Sequence, residues 1–156
     1  MLMPGPKQRE RPSVTVDVVV VSAVQGHHQV LLIRRGKPPF EGCWALPGGF
    51  VEPYEPLNEA ARRELLEETG AEPDYLEQLY TFGDPGRDPR GWTVSVAYLA
   101  WLSGAELQDW RPQAGSDASA VGWFDLYNPP PLAFDHDSIL AVAARHLAEK
   151  GDLFQP

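Results

Sequence analysis

Glu64, Glu67 and Glu68 lie in the segment Gly49 to Ala71, GFVEPYEPLNEAARRELLEETGA, where they follow Leu57, Ala60 and Ala61 at helical spacing. At roughly 100° per residue these six positions fall at i, i+3, i+4, i+7, i+10 and i+11, so the acids continue the stripe that apolar residues begin. Carboxylates aimed that way repel one another and lose hydration unless a cation sits among them. The ordinary reading of a charge run is a solvated face with pairs such as Glu59 with Arg63 and Arg63 with Glu67; here it predicts the wrong face. The chemistry that fits is magnesium, a hard cation held by oxygen ligands, acting on a pyrophosphate.

Two more stretches carry chemistry. Upstream, Trp44-Ala45-Leu46-Pro47-Gly48-Gly49-Phe50-Val51 holds paired glycines that let backbone approach a ligand closely, or simply make a tight turn. Downstream, Thr81 to Gly91 is dense in Gly and Pro yet carries Arg87 and Arg90. Read as a solvated loop these arginines do little. Read functionally, one of them meets substrate phosphates or ribose, since arginine is a forked, permanent donor, and its loss should weaken substrate use more than stability. His27 and His28 are expected in an exposed turn rather than at a metal.

These groups need elements to hold them. Pro56 suits the opening turn of a helix and Gly70 its left-handed stop, so the acidic helix should run over about 55–69. Thr15 to Ser22 (TVDVVVVS) and Val30 to Arg34 (VLLIR) read as paired strands of a hairpin, with further strands at Leu76 to Phe82, Thr93 to Trp101 and Ala120 to Asp125. A second helix should run from near Asp135 to Lys150, with Ile139, Val142, Ala143, His146 and Leu147 on its apolar side and Gly151 ending it. Strands interleaved with helices in this order read as a mixed sheet between helices.

Length and composition agree with one such domain over residues 14–156 behind a polar, Pro-rich tail, residues 1–13. A chain of 156 residues is of one-domain size and can bury a real core, and its 43% hydrophobic content is globular. No apolar run approaches the roughly 20 residues of a membrane span. The tail lacks an apolar signal core, so a cytoplasmic location is expected. Cys43 is the single cysteine, which excludes an internal disulfide and a cysteine-built zinc site; a buried or half-buried thiol is expected. A net charge of −9 argues against a nucleic-acid polymer as partner, although metal ions can still bring a small anionic substrate to acidic residues.

The pattern Gly49, Glu55, Arg63-Glu64-Leu65, Glu67-Glu68 and Gly70 resembles the Nudix box of the Nudix hydrolases. Ala71 stands where a bulkier aliphatic residue is preferred and Tyr54 where a glycine is frequent, neither at a metal-ligand position. The resemblance covers nearly the whole chain after the tail and implies the Nudix α/β/α sandwich. It implies that the Gly48 carbonyl and Glu64, Glu67 and Glu68 hold Mg²⁺ or Mn²⁺, that Arg63 orients these acids and that Glu55 supports Arg63 or the loop. The general base varies in this family between a box glutamate and an acid on a later loop, for which Asp117 is the candidate here. The loop at 81–91 and Leu132-Ala133-Phe134-Asp135-His136-Asp137 resemble the ADP-ribose-handling branch, implying hydrolysis of ADP-ribose to AMP and ribose 5-phosphate. Cleavage of another nucleoside diphosphate derivative or an oxidised nucleotide, or a non-enzymatic ADP-ribose sensor, are the alternatives. Analogy with ADP-ribose-cleaving relatives suggests a homodimer.

Overall fold

The computed structural model describes residues 9–115 and 117–150. The valine-rich run becomes the central strand β1, Ser13–Val24, in which every residue from Thr15 to Ser22 is buried. A tight turn at Gln25 and Gly26, both with positive φ, returns the chain into antiparallel β2, His27–Arg35. The described residues form a seven-stranded sheet. Two short strands, β3 (Trp44–Ala45) and β4 (Gly48–Phe50), pair with β2 and β1 respectively. Strand β5 (Tyr75–Phe82) pairs antiparallel with β6 (Thr93–Trp101), and β7 (Ala118–Asp125) pairs antiparallel with β2. Strand β6 runs parallel to β1, which makes the sheet mixed.

Side-chain alternation along β1 divides the core into two layers. Val16, Val18 and Val20 pack with Ala60, Ala61 and Leu65 of helix α1, Leu57–Thr69. Val19 and Val21 pack with Ile139, Leu140, Ala143 and Leu147 of helix α3, His136–Lys150. The helices therefore lie on opposite faces, and the expected α/β/α sandwich is found. Between β6 and β7 a short helix, α2 (Gly104–Asp109), sets Leu107 against the layer that holds α1. No helix of the described residues is long and apolar enough to cross a membrane.

Some local expectations change. His27 and His28 open β2 instead of sitting in the turn, because two positive-φ residues suffice to reverse the chain. Pro56 is the extended N-cap just outside α1, and Ala60 N–H still bonds its carbonyl. Cys43 is exposed, not buried. Strands β3 and β4 are too short to show a period. Helix α2 carried a legible signal, the reciprocal capping box of Ser103 and Glu106. The expected tail falls partly, and Gly151 entirely, outside the described residues.

Candidate active site

Gly70, at φ 78, ends α1 by donating its N–H to the Leu66 carbonyl. Of the three candidate metal-binding glutamates on this helix, Glu68 is only 8% exposed, Glu64 is half-buried and Glu67 faces solvent. Opposite them runs β4. A Cβ on Gly48 would come within 2.1 Å of the Val16 carbonyl, which leaves no room for a side chain, and one on Gly49 would come within 2.5 Å of the Glu64 carboxylate and displace it. Gly48 N–H approaches Glu68 Oε2 at 3.4 Å.

Arg63 organises the outer acids. Its Nε and one terminal nitrogen fork onto Glu55 at 2.7 and 3.0 Å, and the other terminal nitrogen meets Glu64 at 2.9 Å and Glu67 at 3.3 Å. It also donates to the Phe50 carbonyl at 3.1 Å, tying α1 to β4. Of the two ordinary helix pairs considered, Arg63 with Glu67 is present. The Arg63 bonds hold the Glu55 carboxyl down at about 2. Burial, helped by the neighbouring Glu64, pushes the Glu68 carboxyl up to about 8. Burial also raises Glu64 above its usual value, against the pull of Arg63.

All the residues selected from sequence for the site, Gly48, Arg63, Glu64, Glu67, Glu68, Arg87, Arg90 and Asp117, line one cavity of about 530 Å³. Its other wall is cationic. Arg87 has a side chain only 4% exposed, and its guanidinium forks onto Asp135. A solvated loop arginine is therefore the wrong description of Arg87. Arg90 forks onto Asp88 and stacks over Phe50 and Phe134, 4.7 and 5.3 Å from the ring centroids. Arg35, absent from the sequence-based selection, also lines the cavity and lies over the Phe134 ring, 5.0 Å from its centroid. Asp117 sits on the rim, just before β7, where its exposed carboxylate meets Lys37 at 2.7 Å.

The floor of the cavity includes Asp17 and His136, part of a polar network that the sequence analysis also missed. Asp17 of β1 accepts from the Ser95 hydroxyl of β6 and faces His136 Nε2 at 3.4 Å. His136 Nδ1 accepts the Leu46 N–H at 3.0 Å. Burial works to raise the Asp17 pKa, but His136, Ser95 and the charge of Arg87 outweigh it, and the result is lowered. A lone acid inside TVDVVVVS was the available signal, because a charge in a buried strand needs a partner.

The donor chemistry fits a hard divalent cation. Glu64, Glu67 and Glu68 open on one cavity beside the main chain of Gly48, and two of them are held above their usual pKa by burial, a state that a bound cation relieves. Among the described residues no three His, Cys, Asp or Glu side chains stand close enough together to hold a metal ion as they are placed. In this arrangement Arg63 takes up oxygens of Glu64 and Glu67.

The fold and the glutamate-lined cavity suit a hydrolase that cleaves a pyrophosphate. The chain belongs to the Nudix family: the family profile described as "NUDIX domain" matches residues 12–143. It is 43% identical to the ADP-ribose pyrophosphatase of Methanocaldococcus jannaschii, over 83% of this chain and 71% of that protein. It is 41% identical to the ADPR responsive transcriptional repressor NtrR of Acinetobacter baylyi, over 89% of this chain but only 56% of the repressor. Among solved structures, the NUDIX domain of Shewanella oneidensis NrtR complexed with ADP ribose superposes with a TM-score of 0.80 at 37% identity, over 92% of this chain and 94% of that one.

Proposed function

We propose that this protein is a cytoplasmic enzyme that hydrolyses the pyrophosphate bond of ADP-ribose, releasing AMP and ribose 5-phosphate, with Mg²⁺ or Mn²⁺ held by Glu64, Glu67, Glu68 and the Gly48 carbonyl. The observation that carries this reading is the division of one cavity into an acidic wall on α1 and a cationic wall of Arg35, Arg87 and Arg90. A diphosphate spans two such walls, with its charge met by metal on one side and guanidinium on the other. When bound, the cation polarises a phosphoryl oxygen and lowers the pKa of a water. Arg63 holds Glu64 and Glu67 in place, and Glu55 in turn fixes Arg63. Asp117 on the rim is the candidate to take a proton from the attacking water, with a box glutamate as the alternative. The likeness to an ADP-ribose pyrophosphatase and to an ADP-ribose-bound domain supports the choice of ADP-ribose. A net charge of −9 favours a small ligand over a nucleic-acid polymer. A homodimer is proposed by analogy alone.

A second reading, an ADP-ribose sensor, is favoured by the likeness to a transcriptional repressor that responds to ADPR. Turnover of ADP-ribose, NADH, ADP-glucose, dinucleoside polyphosphates and 8-oxo-dGTP in magnesium separates the two. ADP-ribose should be cleaved best. Tight ADP-ribose binding with no turnover would select the sensor, and preference for another member of the panel would select a sister activity.

A further inference from the structure

The segment that carries Gly48 is held from three directions. Antiparallel pairing sets Gly48 opposite Asp17 and Gly49 opposite Val16. The Pro47 carbonyl accepts from Val18 N–H at 2.8 Å. The third tether comes from the far end of the chain, where Leu46 N–H donates to Nδ1 of His136, a residue 4% exposed at the start of α3. An imidazole nitrogen that accepts a hydrogen bond carries no proton, so the proton of the neutral ring lies on Nε2. That nitrogen faces Asp17, which the Ser95 hydroxyl holds from the other side. The chain of bonds therefore fixes both the orientation and the tautomer of His136, and through them the position of Leu46, two residues before Gly48.

We infer that His136 is a positioning residue that holds the Leu46–Gly49 segment against α1, with Asp17 and Ser95 setting its tautomer. The inference rests on the proposed role of Gly48 and Glu68 in metal binding. Its physical basis is that a hydrogen-bond partner lying outside the ligand set, here one that also lines the cavity, fixes the geometry of groups it does not itself ligate, and its loss costs activity or metal affinity.

The test uses the full chain with Mn²⁺ as probe, its affinity read from the electron paramagnetic resonance signal without substrate. His136→Phe keeps a ring and removes both nitrogens. It should weaken Mn²⁺ binding and lower kcat, each by about 10- to 100-fold, while KM for ADP-ribose stays within about 3-fold. Amide hydrogen exchange at Leu46, slow in the unaltered protein, should become fast. His136→Asn offers an oxygen near the place of Nδ1 and should recover most of the Mn²⁺ affinity and the Leu46 protection. A folded His136→Phe variant with wild-type Mn²⁺ affinity and kcat overturns the inference. So does an imidazole ¹⁵N spectrum of the unaltered protein with the proton on Nδ1, or a freely exchanging Leu46 amide, neither of which requires a variant to fold. Unchanged Mn²⁺ affinity in Glu68→Gln would instead overturn the reading of the cavity as a metal site, and exchange at Leu46 would still decide whether His136 holds the segment.

Discussion

Glu68 is the residue in which the demands of folding and of chemistry conflict most directly. In the unfolded chain its carboxyl titrates near 4.5, and in the metal-free fold at about 8. Between those values the fold retains a proton that the unfolded chain has released, so the metal-free protein should lose stability as pH rises from about 4.5 to about 8. Thermal unfolding in chelator across this range checks the slope; Glu68→Gln should flatten it, and an equal slope in both proteins would remove Glu68 as its source. Binding of Mg²⁺, which favours the ionised form, should release protons in the same range. Glu67→Gln and Glu68→Gln should each cut turnover by ~10²-fold or more with the fold intact, since each removes one charge from the metal's environment at nearly constant shape. Near-native rates in both at limiting magnesium would refute the assignment. Asp117 calls for a different measurement. Its contact with Lys37 is exposed and worth little, so Asp117→Asn should leave stability unchanged. If it takes the proton, kcat falls and the acidic limb of the pH profile moves or vanishes; if the limb vanishes only in a glutamate variant, the base is on α1.

Among the elements, the loop between β5 and β6 differs most from its description in sequence. Gly and Pro mark it as a turn-rich connection, and that much is present. Composition did not show that Arg87 turns inward to Asp135 at the entrance to α3, because a pairing over that sequence distance leaves no local pattern. Arg87→Ala should therefore cost about 2–3 kcal/mol of stability as well as substrate use, somewhat less than a fully buried pair because Asp135 keeps some exposure. Arg90→Ala, whose guanidinium is more exposed and forks onto its near neighbour Asp88, should disturb ADP-ribose use more than the melting temperature. Denaturant titration beside kcat/KM distinguishes the two roles. Helix α1 was legible almost to the residue, because Gly70, the apolar stripe and the acids all act within a few turns. The Asp17, Ser95 and His136 network was not, because its members come from three elements that meet only after the sheet and α3 have packed.

At the scale of the whole molecule, β1 explains why one cavity collects so much of the site: it pairs with β4, which faces the glutamates, and lies parallel to β6, which follows the arginine loop. The order of strands and helices around one continuously buried apolar strand made the sheet between helices readable from sequence, while the parallel pairing of β1 with β6 follows from tertiary packing that no local pattern encodes. Ligands that bind the fold alone should raise its melting temperature by mass action. With Mg²⁺ present and ADP-ribose at about 100 times its Kd, under conditions that block turnover, the gain is about 2.7 kcal/mol, or about 5–10 °C for a domain of this size. A scan with no shift would argue against both the enzyme and the sensor. The bond between Leu46 and His136 also bears on the order in which the protein is made. A ribosome delivers the glutamate helix early and the start of α3 late, so a chain interrupted before Phe134 has its acids and two of the three tethers on the segment facing them, but not the third. The two walls would both be made before the final tether between them, and locking of the cavity would wait for α3 to emerge.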